Sequence, residues 1–202
     1  MAFPERIAIA SRNVHKLREL ARICADWPTT WVTVQTDDPS RFPDVEETGD
    51  TYLENALLKA RAVADALGIP AMADDSGIEV DALGGKPGPR SARYGGEQAS
   101  DDDNLAALMQ AVRGVPRGGR TARYRCVAAI AWPGGEELHA VGTCEGELVS
   151  KRQGERGFGY DPIFVPSGWD KTMAELTDEQ KDRISHRGRA FRALGELLPS
   201  SR

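Results

Sequence analysis

Two strand-like runs joined by a tight turn constrain the fold of this chain more than any other feature. Residues 121–132 and 136–149 each have the length and composition of a strand, and Pro133-Gly134-Gly135 between them is typical of a hairpin turn. Shorter strand patterns at residues 6–11 and 31–35 flank a helical pattern that begins at Val14. Because strands and helices alternate around one hairpin, the sequence predicts an α/β protein with a mixed sheet.

Helix-capping residues indicate where further elements begin. Thr51 and Glu54 form a capping box, which predicts a helix that ends at Leu67. Similar signals predict four more elements: a short strand at residues 71–73 that ends in a sharp turn at Ser76-Gly77, a helix from Ser100 to about Val112, a helical piece capped by Thr177, and a terminal helix at residues 185–198. No repeat, low-complexity tract or flexible linker interrupts the sequence, so we expect residues 1–202 to form a single domain.

Composition excludes several classes of protein. The chain is 40% hydrophobic with a formal net charge of −5, which fits a globular protein and argues against a partner such as duplex nucleic acid. Its longest apolar run, residues 126–132, is far shorter than the ~20 residues of a membrane span. The three cysteines show no CxxC spacing, and we expect reduced thiols and a cytoplasmic location.

Residues 11–16 are a candidate phosphate-binding segment. They read Ser-Arg-Asn-Val-His-Lys and connect a strand to the start of a helix, where backbone N–H groups attract anions. Lys16 adds a positive charge in the first turn, and Asn13 can either cap the helix or contact a ligand. The segment lacks the P-loop pattern, so a capped surface helix without a ligand stays an alternative.

Two acidic pairs are candidate ligands for a hard divalent cation such as Mg²⁺. Glu46-Glu47 lies in a polar loop, and Asp74-Asp75 lies at the end of a predicted strand. Neighbouring strand residues point to opposite faces, so we expect only Asp75 to enter a site, exposed by the predicted turn that follows it. Solvated loop carboxylates are the alternative.

Further candidates occur on a helix face, in a glycine-rich loop and near the C-terminus. Asn55 and Lys59 lie one turn apart on the polar face of the second helix. Residues 157–162, Gly-Phe-Gly-Tyr-Asp-Pro, suit a flat ring that needs stacking and a polar edge contact, although a turn with core aromatics fits as well. Residues 185–188, Ser-His-Arg-Gly, place nitrogen donors in a basic region near Lys181.

Seven motifs, in order along nearly the whole chain, resemble those of the inosine/xanthosine triphosphate pyrophosphatases. They are Ser-x-Asn-x-x-Lys at 11–16, Glu-Glu-Thr-Gly at 46–49, Glu-Asn-Ala-x-x-Lys-Ala at 54–60, Ala-Asp-Asp-Ser-Gly at 73–77, Gly-Gly-x-Pro-Gly-x-x-Ser-Ala-Arg-Tyr at 84–94, Gly-Phe-Gly-Tyr-Asp-Pro at 157–162 and Ser-His-Arg-Gly at 185–188. Each motif is modest, but their common order is very specific.

The resemblance implies an elongated α/β fold of two lobes around a long mixed sheet with flanking helices. It places the active site in the cleft between the lobes and commonly implies a homodimer. The implied reaction is Mg²⁺-dependent hydrolysis of ITP, dITP and XTP to the nucleoside monophosphate and pyrophosphate. The implied partner is a small-molecule nucleoside triphosphate, neither nucleic acid nor a membrane.

The resemblance also implies a role for particular residues. Asp75 would be the catalytic carboxylate and a metal ligand, with Glu46 preferred to Glu47 as the second ligand. The triphosphate and nucleoside would be held by Ser11, Arg12, Asn13, Val14, His15, Lys16, Lys59, Ser76, Phe158, Gly159, Tyr160, Asp161 and Lys181. His186 and Arg187 would read the base, because their donors suit the carbonyl at position six of hypoxanthine and xanthine.

Two other functions stay open at this point. One is a sensor that binds a nucleotide without turnover, which the presence of Asp75 and Glu46 disfavours. The other is a pyrophosphatase for pyrimidine nucleoside triphosphates, which residues 157–162 and 185–188 disfavour. Pyrophosphate release from a panel of nucleotides would separate the three.

Overall fold

A six-stranded sheet organises residues 3–198, the part of the chain that the computed structural model describes. Its strands are β1 (Arg6–Ile9), β2 (Thr30–Val32), β3 (Ala71–Val80), β4 (Thr121–Ala131), β5 (Glu137–Leu148) and β6 (Phe164–Pro166), in the order β2-β1-β3-β4-β5-β6. β1 is parallel to both β2 and β3, whereas β5 and β6 are antiparallel. The prediction of an α/β fold with a mixed sheet is therefore confirmed.

The helices begin where the caps predicted. They are α1 (Val14–Ile23), α2 (Tyr52–Leu67), α3 (Asp101–Ala111), α4 (Asp178–Ile184) and α5 (His186–Leu197). Thr51, Ser100 and Thr177 each accept a hydrogen bond from the backbone N–H three residues later, and each belongs to a capping box. Within residues 3–198, no helix combines the length and the apolar character needed to cross a bilayer.

The chain divides into two compact units, each built from several segments. Unit 1 consists of the described residues of Met1–Asp75, Cys126–Gly142 and Arg187–Arg202. Unit 2 consists of Ser76–Arg125 and Thr143–His186. Strands β3, β4 and β5 contribute residues to both units.

The core of unit 1 lies on both faces of its strands. Ile7 and Ile9 of β1 belong to a buried cluster with residues of α1 and α5, whereas Ala8 between them belongs to a cluster with Ala60 and Ala64 of α2. Successive strand residues point to opposite faces, so β1 carries α1 and α5 on one side and α2 on the other. The helix N-termini and the end of β1 are thereby held by buried apolar contacts.

The core of unit 2 is formed by the later part of the sheet and by α3. Ile78 and Val80 of β3 are fully buried with Leu105 and Leu108 of α3, and Phe164 of β6 belongs to the same cluster. This packing explains why the expected sharp turn at Ser76-Gly77 is wrong. β3 continues in the extended conformation to Val80, because the alternating apolar residues after Gly77 are buried in this core.

The second strand is also shorter than predicted. β2 ends at Val32, and the Thr33 carbonyl accepts hydrogen bonds from the backbone N–H groups of Thr36 and Asp37, both at 3.0 Å. The local turn uses backbone groups that a longer strand would have needed for its ladder.

Candidate active site

The segment between β1 and α1 folds around the side chain of Asn13. Its Oδ1 accepts hydrogen bonds from the backbone N–H groups of His15 (2.9 Å) and Lys16 (3.1 Å), so Asn13 is the N-cap of α1. The Ser11 hydroxyl accepts the N–H of Asn13 at 3.2 Å, and Arg12 Nη2 donates to the Phe42 carbonyl at 2.8 Å. Val14 and His15 are exposed in the first turn. The capped helix is thus observed, and phosphate binding by residues 11–16 stays a prediction.

Asp74 is the centre of a buried ion-pair network in unit 1. Its Oδ2 accepts from Arg187 Nη2 at 2.9 Å and lies 3.2 Å from Lys16 Nζ. Arg187 Nη1 also donates to Glu19 Oε2 at 2.6 Å. The network returns to α1, which carries both Lys16 and Glu19, and its two acids balance its two bases. Burial of Arg187 and Asp74 is tolerated because each charge has such a partner.

The electrostatic state of Asp74 follows from these partners. Burial by itself would raise the pKa of Asp74, but Arg187, Lys16 and Lys59 outweigh it and hold the pKa far below its ordinary value. Asp74 is therefore ionised at neutral pH. Its second oxygen, Oδ1, is buried and accepts no hydrogen bond from the described residues.

Asp75 has a different environment from its neighbour. It is 4% exposed, and its Oδ2 accepts a hydrogen bond from the neutral amide of Asn55 at 3.2 Å. Burial raises the pKa of Asp75, and the negative charge of Glu47 adds to the effect, while Lys59 and Lys16 act against it. A carboxylate whose pKa is raised by burial is a better proton acceptor, which is the property that a general base needs.

Lys59 is paired with the acidic loop and acts electrostatically on Asp75. Its ammonium is ion-paired with Glu47, and their side chains are 14% and 27% exposed. Burial tends to lower the pKa of Lys59, but Glu47, Asp75 and Asp74 together raise it, so Lys59 is a cation. Glu46, the expected metal ligand, is exposed. The structure thus pairs Glu47, and not Glu46, with Lys59, and metal binding by either glutamate stays a prediction.

In unit 2, the glycine-rich loop is organised by the buried carboxylate of Asp161. Its Oδ2 accepts from Lys181 Nζ at 2.6 Å and from the Phe158 N–H at 3.0 Å, and its Oδ1 accepts from Tyr124 Oη at 3.2 Å. Lys181 Nζ also lies 5.1 Å from the centre of the Phe158 ring. Lys181, expected to bind the triphosphate, is thus 5% exposed and ion-paired in this structure.

Aromatic stacking holds His186, the expected base-reading residue, in unit 2. Its ring lies parallel to that of Tyr124, with 4.5 Å between the ring centres and an angle of 6°. Tyr160 donates from its hydroxyl to the Ser91 carbonyl at 2.7 Å, and Gly159 donates its N–H to Asp101 at 3.1 Å. Ser76, at the start of unit 2, is half-buried.

The structure separates the local environments of two residues that are adjacent in sequence. His186 stacks in unit 2, whereas the Arg187 guanidinium is bound by Asp74 and Glu19 in unit 1. Sequence reasoning missed Glu19 and Tyr124. The only available signal for Tyr124 was its alternation with Ala122 and Cys126 in β4, and nothing in the spacing of α1 distinguished Glu19 from a solvated acid.

Within residues 3–198, no three His, Cys, Asp or Glu side chains form a group that could hold a metal ion. The acidic groups nevertheless fit a hard divalent cation, because Mg²⁺ commonly uses only one or two carboxylates and retains water or phosphate oxygens. Asp74 Oδ1 has no hydrogen-bond partner among the described residues, and Asp75 accepts a hydrogen bond from the neutral amide of Asn55.

Comparison with known proteins gives the family of the chain. A model of the Ham1 family matches residues 7–197. A dITP/XTP pyrophosphatase of Geobacter sulfurreducens is 48% identical over 193 residues, which cover 96% of each chain. The solved structure of a HAM1 protein from Coxiella burnetii matches with a TM-score of 0.85 and 37% identity, covering 98% of each chain. The Ham1 protein of Staphylococcus aureus matches with a TM-score of 0.82 and 43% identity, over 95% of this chain and 97% of that one.

The sequence matches and the structural matches each cover almost the whole chain. The chain therefore belongs to the Ham1 family.

Proposed function

We propose that this chain is a metal-dependent nucleoside triphosphate pyrophosphatase that hydrolyses dITP, XTP and ITP to the monophosphate and pyrophosphate. The observation that carries the proposal is the buried carboxylate of Asp75, whose pKa is raised, beside the cations Lys59 and Lys16. Such a set combines a proton acceptor with positive charges that suit a polyphosphate. The dITP/XTP pyrophosphatases that share nearly half of its residues support the choice of substrate.

The cofactor in this proposal is Mg²⁺, held by Asp75 together with Glu47 or Glu46. When bound, Mg²⁺ would neutralise phosphate charge and make a coordinated water a stronger nucleophile. The acidic groups are compatible with this role, since Mg²⁺ prefers carboxylate oxygens and Glu47 acts on the same Asp75 electrostatically.

The chain's own residues would divide the remaining work. Asp75 accepts the proton of the attacking water as the anhydride between the α- and β-phosphates breaks and pyrophosphate leaves. Lys16 and Lys59 bind phosphate oxygens, and they are already oriented by their ion pairs with Asp74 and Glu47. Since both lysines are held before the substrate arrives, little reorganisation is needed at the moment of reaction.

Base recognition is proposed for residues of the glycine-rich loop and for His186 and Arg187. Phe158 is half-buried with Lys181 near its face, which supports a stacking role for this ring. His186 and Arg187 are both buried, and buried donors discriminate strongly, because a base that lacks the matching acceptor would leave them unsatisfied. Ion pairs with Asp74 and Glu19 mean that Arg187 would exchange partners to reach a base.

The proposal also includes a cytoplasmic location and a homodimer. All three cysteines are buried thiols outside any disulfide, which is compatible with a reducing compartment.

The test is pyrophosphate release from ITP, dITP, XTP, GTP, ATP and dTTP, each with Mg²⁺ and with EDTA. We expect Mg²⁺-dependent release from ITP, dITP and XTP. Release mainly from dTTP would replace the purine assignment by a pyrimidine one. Binding of ITP without any release would replace the enzyme by a nucleotide sensor.

The role of Asp75 is tested by D75N, which keeps the shape of the side chain and removes its charge. We expect kcat to fall by about 10²–10⁴-fold, the usual contribution of a general base. The Kd for ITP measured without metal should change little, because the phosphate-binding lysines remain. Undiminished turnover by D75N would remove Asp75 from the mechanism.

A further inference from the structure

Helices α2 and α3 begin with the same arrangement of side chains. In each, a capping box is followed by a buried asparagine at the fourth helical position, Asn55 in α2 and Asn104 in α3. The Oδ1 atom of each asparagine accepts the backbone N–H of a preceding loop glycine. The distances are 2.8 Å from Gly49 to Asn55 and 2.8 Å from Gly95 to Asn104. Both asparagines therefore anchor a loop to the start of a helix.

This shared contact determines the orientation of each amide group. A backbone N–H can only donate, so the side-chain oxygen must face the glycine and the NH₂ group must point the other way. Asn55 is 0% exposed and Asn104 is 2% exposed, so the NH₂ groups need protein partners. Each asparagine thus presents a donor in a fixed direction.

The two arrangements differ in what that donor contacts. Asn104 Nδ2 donates to the backbone carbonyls of Ala92 at 3.0 Å and Ala99 at 3.5 Å, so all three of its hydrogen bonds stabilise the adjacent loop. Asn55 Nδ2 donates instead to Asp75 Oδ2 at 3.2 Å, 20 residues away in β3. A second loop carbonyl would have satisfied Asn55 equally well. The contact with a side-chain carboxylate is therefore unnecessary for anchoring the loop.

The loop approaches Asn55 unusually closely. A Cβ added to Gly49 would lie 2.8 Å from Asn55 Oδ1 and 2.6 Å from Glu54 Cβ, so this position requires a glycine. Glu47, which is paired with Lys59, precedes Gly49 by two residues. Asn55 thus links the loop that carries Glu47 to the carboxylate of Asp75.

We propose that Asn55 is a positioning residue, whose Nδ2–H donor fixes the rotation of the Asp75 carboxylate while its Oδ1 holds the loop that carries Glu47. The inference rests on the proposed function, since it assigns Asn55 to the same reaction. The amide donates to the ionised carboxylate without adding charge, so Asp75 is oriented but still able to accept a proton. A carboxylate that turns away from its reacting geometry loses catalytic efficiency even when it remains in the site.

The variant N55D separates the two contacts of this side chain. It keeps an oxygen for the Gly49 N–H but replaces the donor that faces Asp75 by a second carboxylate oxygen. We expect kcat for ITP to fall by about 10²-fold, the usual effect of a small misplacement of a catalytic group. The KM should change by less than about threefold, because the interaction acts on the reacting carboxylate rather than on substrate binding.

The matched control is N104D, which makes the same change at the equivalent position of α3. N104D should lower Tm because it places a carboxylate opposite the Ala92 carbonyl. Its kcat should stay within about twofold of wild type. A similar loss of kcat in N104D and N55D would show that both act through general destabilisation, and would overturn the proposal.

A swapped pair tests the contact itself without any activity measurement. N55D alone should lower Tm by about 4 °C, since it places two carboxylates together. The double variant N55D/D75N again places one amide opposite one carboxylate, and should recover most of the lost Tm. If the double variant is no more stable than N55D, the proposed contact is refuted.

The outcomes distinguish this inference from the proposed function. If wild-type protein hydrolyses ITP and N55D retains its kcat, Asn55 only anchors the loop and the inference fails while the function stands. If wild-type protein releases no pyrophosphate from any nucleotide, the proposed function is wrong, and so is the positioning role of Asn55 in that reaction. Loss of kcat in N55D with recovery of Tm in N55D/D75N supports both the proposed function and the positioning role of Asn55.

Discussion

Replacement of Gly157 by alanine should dismantle the buried ion pair between Asp161 and Lys181. A Cβ at this position would lie 2.1 Å from Asp161 Oδ2, the oxygen that accepts the Lys181 ammonium at 2.6 Å. Because a contact of that length is impossible, the carboxylate must move. Both charges are almost completely buried, so neither can be solvated where it stands.

The expected loss of stability has two parts. Gly157 has a φ of +73°, and a left-handed backbone costs alanine about 1–2 kcal/mol. Separating a buried charge from its partner costs about 3–5 kcal/mol more. The sum, about 4–7 kcal/mol, is a large share of the ~5–15 kcal/mol that stabilises a typical domain. For a chain of this size it corresponds to a fall in Tm of about 8–28 °C.

Gly159, two residues away, offers a matched control. It also has a left-handed backbone, with φ of +61°, but an added Cβ would meet no atom within 4 Å. G159A therefore carries only the backbone cost, and should lower Tm by about 2–8 °C. Urea unfolding followed by circular dichroism, together with calorimetric Tm values, would give the difference between the variants.

The difference in stability between G157A and G159A measures the free-energy cost of displacing the Asp161 carboxylate. Equal destabilisation by G157A and G159A would refute the reasoning, because it would mean that Asp161 and Lys181 move apart at no cost. A G157A protein as stable as wild type would refute the backbone cost as well.

Two further predictions concern the metal and the thiols. E47Q should raise the Mg²⁺ concentration needed for half-maximal pyrophosphate release, whereas E46Q should leave it within about twofold, since Glu46 is exposed and Glu47 is paired with Lys59. If E46Q instead raises the required Mg²⁺ concentration and E47Q does not, Glu46 is the ligand. Burial raises the pKa of Cys24 to about 12, so its thiol should not react with Ellman's reagent at pH 8 in the folded protein. All three cysteines should react only in urea, and rapid labelling of the folded protein would contradict their burial.

Much of the fold was predictable because its signals are local. Thr51 with Glu54 and Ser100 with Asp103 satisfy each other's backbone within one turn, so their capping boxes specify helix starts whatever the rest of the chain does. The predicted turn at Ser76-Gly77 failed for the opposite reason. Serine and glycine favour a turn locally, but the burial of Ile78 and Val80 keeps β3 extended.

The candidate site divides in the same way. The sequence by itself predicted Asp75, Lys59 and residues 11–16 as candidates for a phosphate and metal site, because residue types and their order in the chain suffice for such a prediction. Tertiary structure alone decided their partners. Arg187 contacts Glu19 across 168 positions of sequence and Asp74 across 113, and no local pattern encodes contacts over such distances.

The choice between neighbouring residues was likewise decided by packing. Glu46 and Glu47 are the same residue type in one motif, and only the position of Lys59 on α2 selects Glu47 as its partner. Asn55 belongs to the polar stripe of α2 in sequence, yet it is fully buried because the loop at Gly49 and strand β3 meet there. Spacing along a helix specifies the face on which a side chain lies, whereas the elements packed against that face determine whether it is solvated or contacts a buried carboxylate.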